Sequence, residues 1–260
     1  MPLQVQRPLI VIGAGRSGST LLGRTLNSHA QISFKGETSF LVPRLWLELW
    51  EDRFWFKWDC LVSSDPGSSR DPIRPIPEEI VSRAKERTAI AVAQLFVSVL
   101  DLHSDAGLIW GFKEPWNGSP SFQYDWAVYD CVFSKAVWLH LIRNPFEFAR
   151  SCAQWNCDAW TLPYLQARLS DWVSMLEWNR QRAATGRYFE MRFEDLITDP
   201  EAYLTPIFRY VGLDWDASCL QAMTMHVMQS RARRWDLGII LSGIELEDCE
   251  QCTRIASCAC

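Results

Sequence analysis

The sequence of 260 residues has no excess of positive charge and no long apolar run near its amino terminus. Its formal net charge is -5, so no general attraction to nucleic acid or to anionic membranes is expected, and an anion site would need a local cluster of cations. The first fifteen residues contain one apolar run of four residues, which is shorter than a signal-peptide core or a membrane span. We therefore expect a soluble, cytoplasmic protein with no nucleic-acid or membrane partner, and the sequence does not indicate its oligomeric state.

The sequence also lacks internal repeats and a complete zinc-binding pattern. Its hydrophobic content of 48% predicts one α/β domain with a substantial core. Most of the nine cysteines are expected to be buried and reduced, because the sequence shows no export signal. Near the end of the chain one CxxC spacing suits zinc, but a second CxxC is missing, so we favour a flexible tail without metal. The predicted division is a folded domain over residues 1–245 and a Cys-rich tail over residues 246–260, which contains Cys249, Cys252, Cys258 and Cys260.

Short apolar strands alternate with helical patterns along the chain. This alternation predicts an α/β fold in which a parallel sheet is flanked by helices on both faces. Ligands of such sheets bind beyond the carboxyl ends of the strands, where the loop over residues 13–20, Lys113 and Arg143 would converge. The predicted strands are residues 9–12, 31–35, 108–112 and 136–142, and the predicted helices are residues 19–26, 78–100, 145–157, 163–184 and 201–211.

The glycine-rich stretch VIGAGRSGSTLLGRTL fits two phosphate-binding patterns but lacks a residue that one of them requires. Gly13, Gly15 and Gly18 match the dinucleotide pattern G-x-G-x-x-G, and Glu37 stands about where such sites place an acidic ribose ligand. The stretch also matches the P-loop pattern G-x-x-x-x-G-K-[ST], except that Ser19 replaces the lysine. This replacement disfavours a nucleoside triphosphatase, whereas a nicotinamide-dependent oxidoreductase stays open.

A third interpretation keeps the geometry of the loop and changes the anion. Backbone N–H groups of residues 15–19, the hydroxyls of Ser19 and Thr20, and the positive end of the next helix would hold a phosphate, with charge supplied by Arg16. Arg143, in a second strand-to-helix turn, offers a separate anion site. Two anion sites suit a nucleotide with phosphates at both ends, and a nicotinamide enzyme would not need the second.

At this point the sequence resembles the sulfotransferases that use 3′-phosphoadenosine 5′-phosphosulfate (PAPS). GAGRSGSTLL is similar to their 5′-phosphosulfate-binding loop, and LIRNPFEFARS to their 3′-phosphate-binding segment, in which an arginine and a serine eight positions later grip the phosphate. GETSF, WGFKEP, MRFEDLITDPEAYLTPIFRYVGLDWD and SRARRW are further matches in order, so the resemblance spans residues 9–235. It implies a P-loop-like sulfotransferase fold and a cofactor site formed by Gly15, Arg16, Ser17, Gly18, Ser19, Thr20, Arg143, Ser151, Phe193, Arg231, Arg233 and Arg234.

The resemblance also implies two catalytic residues. Glu37 in GETSF stands where heparan and tyrosylprotein sulfotransferases have their general base, and Thr38 also aligns with that position in the tyrosylprotein enzymes. Lys113 in WGFKEP stands where the family has a lysine that stabilises the transition state. His103 is an alternative base by analogy with cytosolic sulfotransferases. In a structural alternative these two residues have no catalytic role, and Glu37 forms an ion pair with a nearby arginine while Lys113 pairs with Glu114.

Several other residues carry narrower expectations. Phe193 keeps the ring of a family tyrosine that contacts adenine and lacks its hydroxyl, so stacking is expected without the hydrogen bond. One of the arginines at positions 231–234 would contact the 3′-phosphate. His29 and His140 are expected to be structural histidines.

We therefore expect a sulfotransferase that uses PAPS as co-substrate, requires no metal, and sulfates a hydroxyl, or less readily an amine, of a small-molecule acceptor such as a specialised metabolite. The alternatives are an NAD(P)-dependent oxidoreductase and a non-catalytic nucleotide-binding protein. The aromatic run from Trp46 to Trp58 is expected to be core, or else to line the acceptor pocket. Residues 61–77, rich in Pro, Gly and Ser, are expected to form an exposed loop or a lid.

Overall fold

A computed structural model of the protein describes residues 7–50, 77–102, 108–116, 122–155 and 161–232. These residues fall into two compact units, one built around a β-sheet and one helical. The strands in the described ranges are β1 Leu9–Ala14, β2 Ile32–Glu37, β3 Ile109–Trp116, β4 Val137–Ile142 and β5 Tyr188–Arg192. The α-helices in the same ranges are α1 Ser19–Asn27, α2 Leu41–Trp46, α3 Glu78–Val99, α4 Phe122–Val132, α5 Pro145–Trp155, α6 Leu162–Arg180, α7 Phe193–Thr198, α8 Pro200–Val211 and α9 Ala217–Ala232.

The sheet unit contains five parallel strands in the order β2-β3-β1-β4-β5. The central strand, β1, is buried along its whole length. Leu9 and Val11 point to one face of the sheet and Ile10 and Ile12 to the other, and all four are buried, so both faces are covered. This arrangement confirms the predicted α/β fold with a parallel sheet flanked by helices.

A large apolar core fixes α1 against the sheet. Leu22 and Leu26 of α1 share one buried cluster with Leu9 and Val11 of β1 and with residues of α7, α8 and α9, including Phe208. Helix α6 also contacts the central strand β1. Because the five strands are parallel, the loops that follow them emerge at one edge of the sheet, which positions the β1–α1 loop beside the ends of β3 and β4.

The helical unit contains α2, α3 and α4. Phe96 of α3 meets Phe133, which follows α4, with ring centroids 5.6 Å apart. Trp46 and Trp50 are 3% and 5% exposed, and their rings lie 5.7 Å apart. This part of the aromatic run is therefore core, while residues 51–58 and all of the predicted loop except Pro77 lie outside the described residues.

Some elements differ from the expectation. β3 extends four residues beyond the predicted strand, so Lys113 and Glu114 lie inside it rather than after it. The apolar pattern did not predict β5, α4, α7 or α9. In β5, which reads YFEMR, only Met191 is buried, so neither an apolar run nor a clean alternation marks the strand. α7 has six residues, too few for the helical period to show.

Among the helices described, none combines the length and the apolar composition needed to cross a membrane. Within the same ranges, no group of three or more His, Cys, Asp or Glu side chains is placed to hold a metal ion. The Cys-rich tail lies outside the described residues. Its flexibility and the domain boundary at residue 245 therefore stay predictions.

Candidate functional site

The loop between β1 and α1 directs the start of α1 toward the carboxyl edge of the sheet. Ser17 donates its backbone N–H to the carbonyl of Ala14 at 3.0 Å, and Arg16 has a φ of 79°, a left-handed conformation that is uncommon outside glycine. α1 begins at Ser19 without a side-chain cap and without an acidic residue in its first turn. The first N–H groups of α1 and the positive end of its dipole therefore favour an anion at this position.

Gly18 is required by the close approach of Phe193. The φ of Gly18 is 101°, and a Cβ added there would lie 2.3 Å from an atom of the Phe193 ring. The same ring lies 4.9 Å from the guanidinium carbon of Arg143, a cation–π contact. Phe193 therefore packs against both the loop and Arg143, and its contact with adenine stays a prediction.

A β-bulge brings Glu37 opposite Lys113. Phe34 pairs with Gly111, so regular pairing would place Gly36 opposite Lys113, but the register shifts by one residue and Glu37 takes that place. Lys113 Nζ lies 3.2 Å from Glu37 Oε2 and donates a hydrogen bond to Thr20 Oγ1 at 3.0 Å. The two candidate catalytic side chains thus form an ion pair beside the first turn of α1.

Thr38, which directly follows Glu37 and β2, has a different partner. Thr38 Oγ1 donates a hydrogen bond to Glu114 Oε1, and Glu114 is fully buried. Since Lys113 and Glu114 are consecutive in β3, their side chains point to opposite faces of the sheet. Within the described residues, Lys113 and Glu37 form an ion pair with each other, whereas the structural alternative expected Lys113 to pair with Glu114 and Glu37 with an arginine.

Arg143 directly follows β4 and reaches back to the loop. Its Nη1 donates to the carbonyl of Arg16 at 3.0 Å, and Arg16 Nε donates to Ser151 Oγ, on α5, at 3.3 Å. Burial lowers the pKa of Arg143 from its ordinary value, and the carboxylates of Glu147 and Glu194 act in the opposite direction. Arginine remains charged under any physiological condition. The predicted phosphosulfate loop and the predicted 3′-phosphate pair are therefore linked through Arg16.

These side chains line one cavity of about 550 Å³, called the loop cavity below. Its walls come from the β1–α1 loop, the ends of β2 and β3, the turn after β4, α5 and α6. This volume is in the range of sites that hold small molecules and cofactors. Among its described lining residues four are cationic and one is anionic; they are Arg16, Lys113, Arg143, Arg168 and Glu37. The balance of charge favours an anionic ligand.

A second cavity of about 400 Å³, the α1 cavity, adjoins the loop cavity. Both cavities are lined by Thr20 and Lys113. From there the α1 cavity follows one face of α1 as far as Ser28, with Phe34 and Gly36 of β2 also in its lining. Residues at positions 20, 23, 24, 27 and 28 lie on the same face because they are spaced by three or four.

Sequence reasoning missed four lining residues of the loop cavity, which are Pro115, Cys152, and Tyr164 and Arg168 on α6. Arg168 occurs among the buried positions of α6, together with Leu165, Leu169 and Trp172. A charged residue at a position where the helical period calls for an apolar one is a signal in the sequence. The sequence pattern alone does not show that Arg168 lies near the β1–α1 loop, which is about 150 residues earlier in the chain.

The structure places the remaining predicted residues as follows. His140 is 2% exposed, its Nδ1 is 2.6 Å from the hydroxyl of Tyr188, and burial together with the charge of Arg180 lowers its pKa to about 3. His29 is buried and its Nε2 lies 3.0 Å from the carbonyl of Asp214. Both are structural histidines. His103, Arg233 and Arg234 lie outside the described residues, as does the side chain of Arg231.

A parallel α/β sheet with a glycine-rich loop, an uncapped helix start and a cation-lined cavity is typical of α/β proteins that bind nucleotides. Within this class, residues 8–217 match the model of the Sulfotransferase family. The chain belongs to that family.

Two curated relatives are similar over different lengths. An uncharacterized protein of Aquifex aeolicus is 26% identical over 228 residues, which are 83% of this chain and 27% of that protein. Omega-hydroxy-beta-dihydromenaquinone-9 sulfotransferase of Mycobacterium bovis is 28% identical over 94 residues, 32% of this chain and 24% of that protein. The matched regions thus span about a quarter of the length of these relatives.

Solved structures show the same fold. The sulfotransferase domain of the olefin synthase of Synechococcus PCC 7002 superposes with a TM-score of 0.53 at 20% identity, covering 84% of this chain and 78% of that one. At this identity the likeness shows the fold and not the activity. Together with the family match, it confirms the sulfotransferase fold that the motifs predicted.

Proposed function

We propose that the protein transfers the sulfuryl group of PAPS to a hydroxyl, or less readily an amine, of a small-molecule acceptor. The observation that carries this proposal is the loop cavity, which lies at the start of α1 and is lined by four cationic side chains and one carboxylate. Its charge suits a ligand with several negative charges, and its position beyond β1, β3 and β4 is where α/β sheets bind nucleotides.

The residues of the cavity fit the proposed donor. The N–H groups at the start of α1, with Ser19 and Thr20, would hold the 5′-phosphosulfate. Arg143 and Ser151 would hold the 3′-phosphate, with Arg16 between the two groups. The missing P-loop lysine has a spatial replacement, since Lys113 reaches Thr20 from another strand.

PAPS, when bound, would supply an activated sulfuryl group on a phosphate leaving group. Glu37 would accept the proton of the acceptor hydroxyl as the acceptor oxygen bonds to sulfur and the sulfur–oxygen bond to the phosphate breaks. Lys113, 3.2 Å from Glu37, would stabilise the negative charge that develops on the bridging oxygen. The ion pair supports this proposal because it would hold the proposed proton acceptor next to the proposed stabilising cation, and Lys113 lines both cavities.

The α1 cavity supports a small molecule as the acceptor. It meets the loop cavity at Lys113 and Thr20, so an acceptor in it would present its hydroxyl next to the ion pair. Its volume of about 400 Å³ matches a small molecule, and Phe34 offers an apolar wall. The name of the Mycobacterium bovis relative describes sulfation of a hydroxylated quinone, which is consistent with a hydroxyl acceptor and with a specialised metabolite.

The alternatives fit the geometry less well. In an NAD(P)-dependent oxidoreductase Glu37 would bind a ribose hydroxyl, but here its carboxylate forms an ion pair with Lys113. A non-catalytic nucleotide-binding protein would not require the ion pair of Glu37 with Lys113, which also lines the α1 cavity. Both observations favour a catalytic transferase.

The test is a transfer assay with PAPS and a panel of phenols, alcohols and amines, read by the mass of the product. We expect release of adenosine 3′,5′-bisphosphate that depends on an added acceptor and is lost in the Lys113→Met protein. The donor affinity of that variant should fall less than its turnover, because Lys113 acts mainly in the transition state. Reduction of NAD by the panel, or release that is equal in the variant, would contradict the proposal.

A further inference from the structure

Arg168 occupies a position on α6 where the pattern of the helix calls for an apolar side chain. Leu165, Leu169 and Trp172 on the same face are buried, and Arg168 is 7% exposed. Burying a guanidinium is costly unless anionic groups offset its charge. Asp171, three residues further along α6, forms an ion pair with Arg168, and its Oδ2 lies 3.7 Å from Nη1. An anion bound in the cavity that Arg168 lines would also offset this charge.

Arg168 belongs to the same group of side chains as Arg143 and Ser151. Arg168 lines the loop cavity together with Cys152, the residue after Ser151 on α5. Burial raises the pKa of the Cys152 thiol, and the charges of Arg168, Arg16 and Arg143 lower it. The loop cavity is therefore lined by three arginines, Arg168, Arg16 and Arg143, and by Ser151.

We propose that Arg168 binds the 3′-phosphate of the donor directly and thereby makes the protein prefer nucleotides that carry a 3′-phosphate. This inference rests on the proposed function. The planar fork of a guanidinium matches two oxygens of a phosphate, which is why arginine is favoured in such sites. A phosphate carries between one and two negative charges at neutral pH, and the guanidiniums of Arg168 and Arg143 together would balance them. The 5′ end of the nucleotide would be held separately, by the loop and Lys113.

The experiment compares adenosine 3′,5′-bisphosphate with adenosine 5′-monophosphate, which lacks the 3′-phosphate, by calorimetric titration. In the Arg168→Gln protein we expect affinity for the bisphosphate to fall by about 10- to 100-fold, the range for losing a charge-assisted hydrogen bond. Affinity for the monophosphate should stay near that of the wild-type protein. A purely structural role would weaken both nucleotides together.

Two further variants sharpen the comparison. Arg187→Gln is the matched control, because Arg187 donates to the carbonyl of Ala136 and is not among the described residues of the loop cavity. It should leave the ratio of the two affinities unchanged. Asp171→Asn removes the carboxylate near Arg168, so it should raise affinity for the bisphosphate severalfold and leave the monophosphate unaffected.

The outcomes separate this inference from the proposed function. Equal weakening of both nucleotides, or no weakening, in Arg168→Gln would contradict the role of Arg168. If that variant does not fold, an Asp171→Asn protein with unchanged bisphosphate affinity would contradict it instead. A wild-type protein that binds neither nucleotide would contradict the proposed function itself.

Discussion

Replacing Glu37 with glutamine is expected to separate catalysis from donor binding. Glutamine keeps the size of the side chain and removes the carboxylate that would accept the acceptor proton. We expect turnover to fall by about 10² to 10⁴, the usual effect of losing a general base. Affinity for adenosine 3′,5′-bisphosphate should stay equal to that of the wild-type protein or rise, because the change removes the anion from a cavity lined by four cations.

The structure also limits what this substitution does to stability. The Glu37 side chain is 43% exposed, so its ion pair with Lys113 is screened by solvent. Pairs of this kind contribute at most about 1 kcal/mol, and the free energy of unfolding should change by no more than that. A large loss of activity would therefore not come from unfolding.

The assay measures steady-state turnover with PAPS and the best acceptor, calorimetric affinity for the bisphosphate, and the unfolding midpoint of each protein. Glu79→Gln is the matched control, since Glu79 lies in the helical unit, is 88% exposed and pairs with Arg83. It should leave all three quantities unchanged. Wild-type turnover in Glu37→Gln would refute the assignment of the base, and a loss of bisphosphate affinity equal to the loss of turnover would assign Glu37 to binding instead.

The remaining predictions concern the stability of the sheet unit. Gly18→Ala should lower the free energy of chemical unfolding by roughly 2–5 kcal/mol, because the backbone is left-handed there and the new Cβ would lie 2.3 Å from the Phe193 ring. In Gly212→Ala the φ is 82° and the space around the new Cβ is open, so only the backbone cost of about 1–2 kcal/mol is expected. If both cost the same, the contact with Phe193 is not the cause. Burial and the charge of Arg180 lower the pKa of His140 in the folded protein to about 3. As the pH falls below about 6.5, the unfolded chain therefore binds a proton at this histidine before the folded protein does. The free energy of unfolding should decline by up to about 1.4 kcal/mol per pH unit between about pH 6.5 and about pH 3. The non-titrating variant His140→Gln should flatten that decline, and an unchanged slope in urea unfolding at several pH values would rule out His140 as its source.

The sequence predicted the parts of the site that depend on local order. β1, the loop and α1 follow one another within twenty residues. An apolar run that ends in glycines and is followed by a helical pattern is compatible with few arrangements other than strand, loop and helix. Arg143 was also predictable, because β4 is an uninterrupted buried run that ends one residue before it. In both cases the functional residue is a fixed short distance from a strongly patterned element.

The rest of the site depends on contacts between distant segments. The bulge that pairs Glu37, and not Gly36, with Lys113 decides which side chain faces the cavity, and no local pattern specifies it. Likewise the ring of Phe193 lies on Gly18 only because β5, a strand without a clear pattern, pairs with β4. Arg168 was marked by its place on an apolar helix face, but its proximity to Cys152 could be seen only in the folded chain.

The central claim is that the loop cavity holds a nucleotide with phosphates at both ends, and calorimetric titration of the wild-type and Arg143→Ala proteins tests it most directly. We predict that the wild-type protein binds adenosine 3′,5′-bisphosphate in preference to NAD. The Arg143→Ala protein should bind the bisphosphate more weakly by about 1.5–3 kcal/mol, the range for a hydrogen bond to a charged group. A preference for NAD, or an equal affinity of the two proteins for the bisphosphate, would contradict the claim.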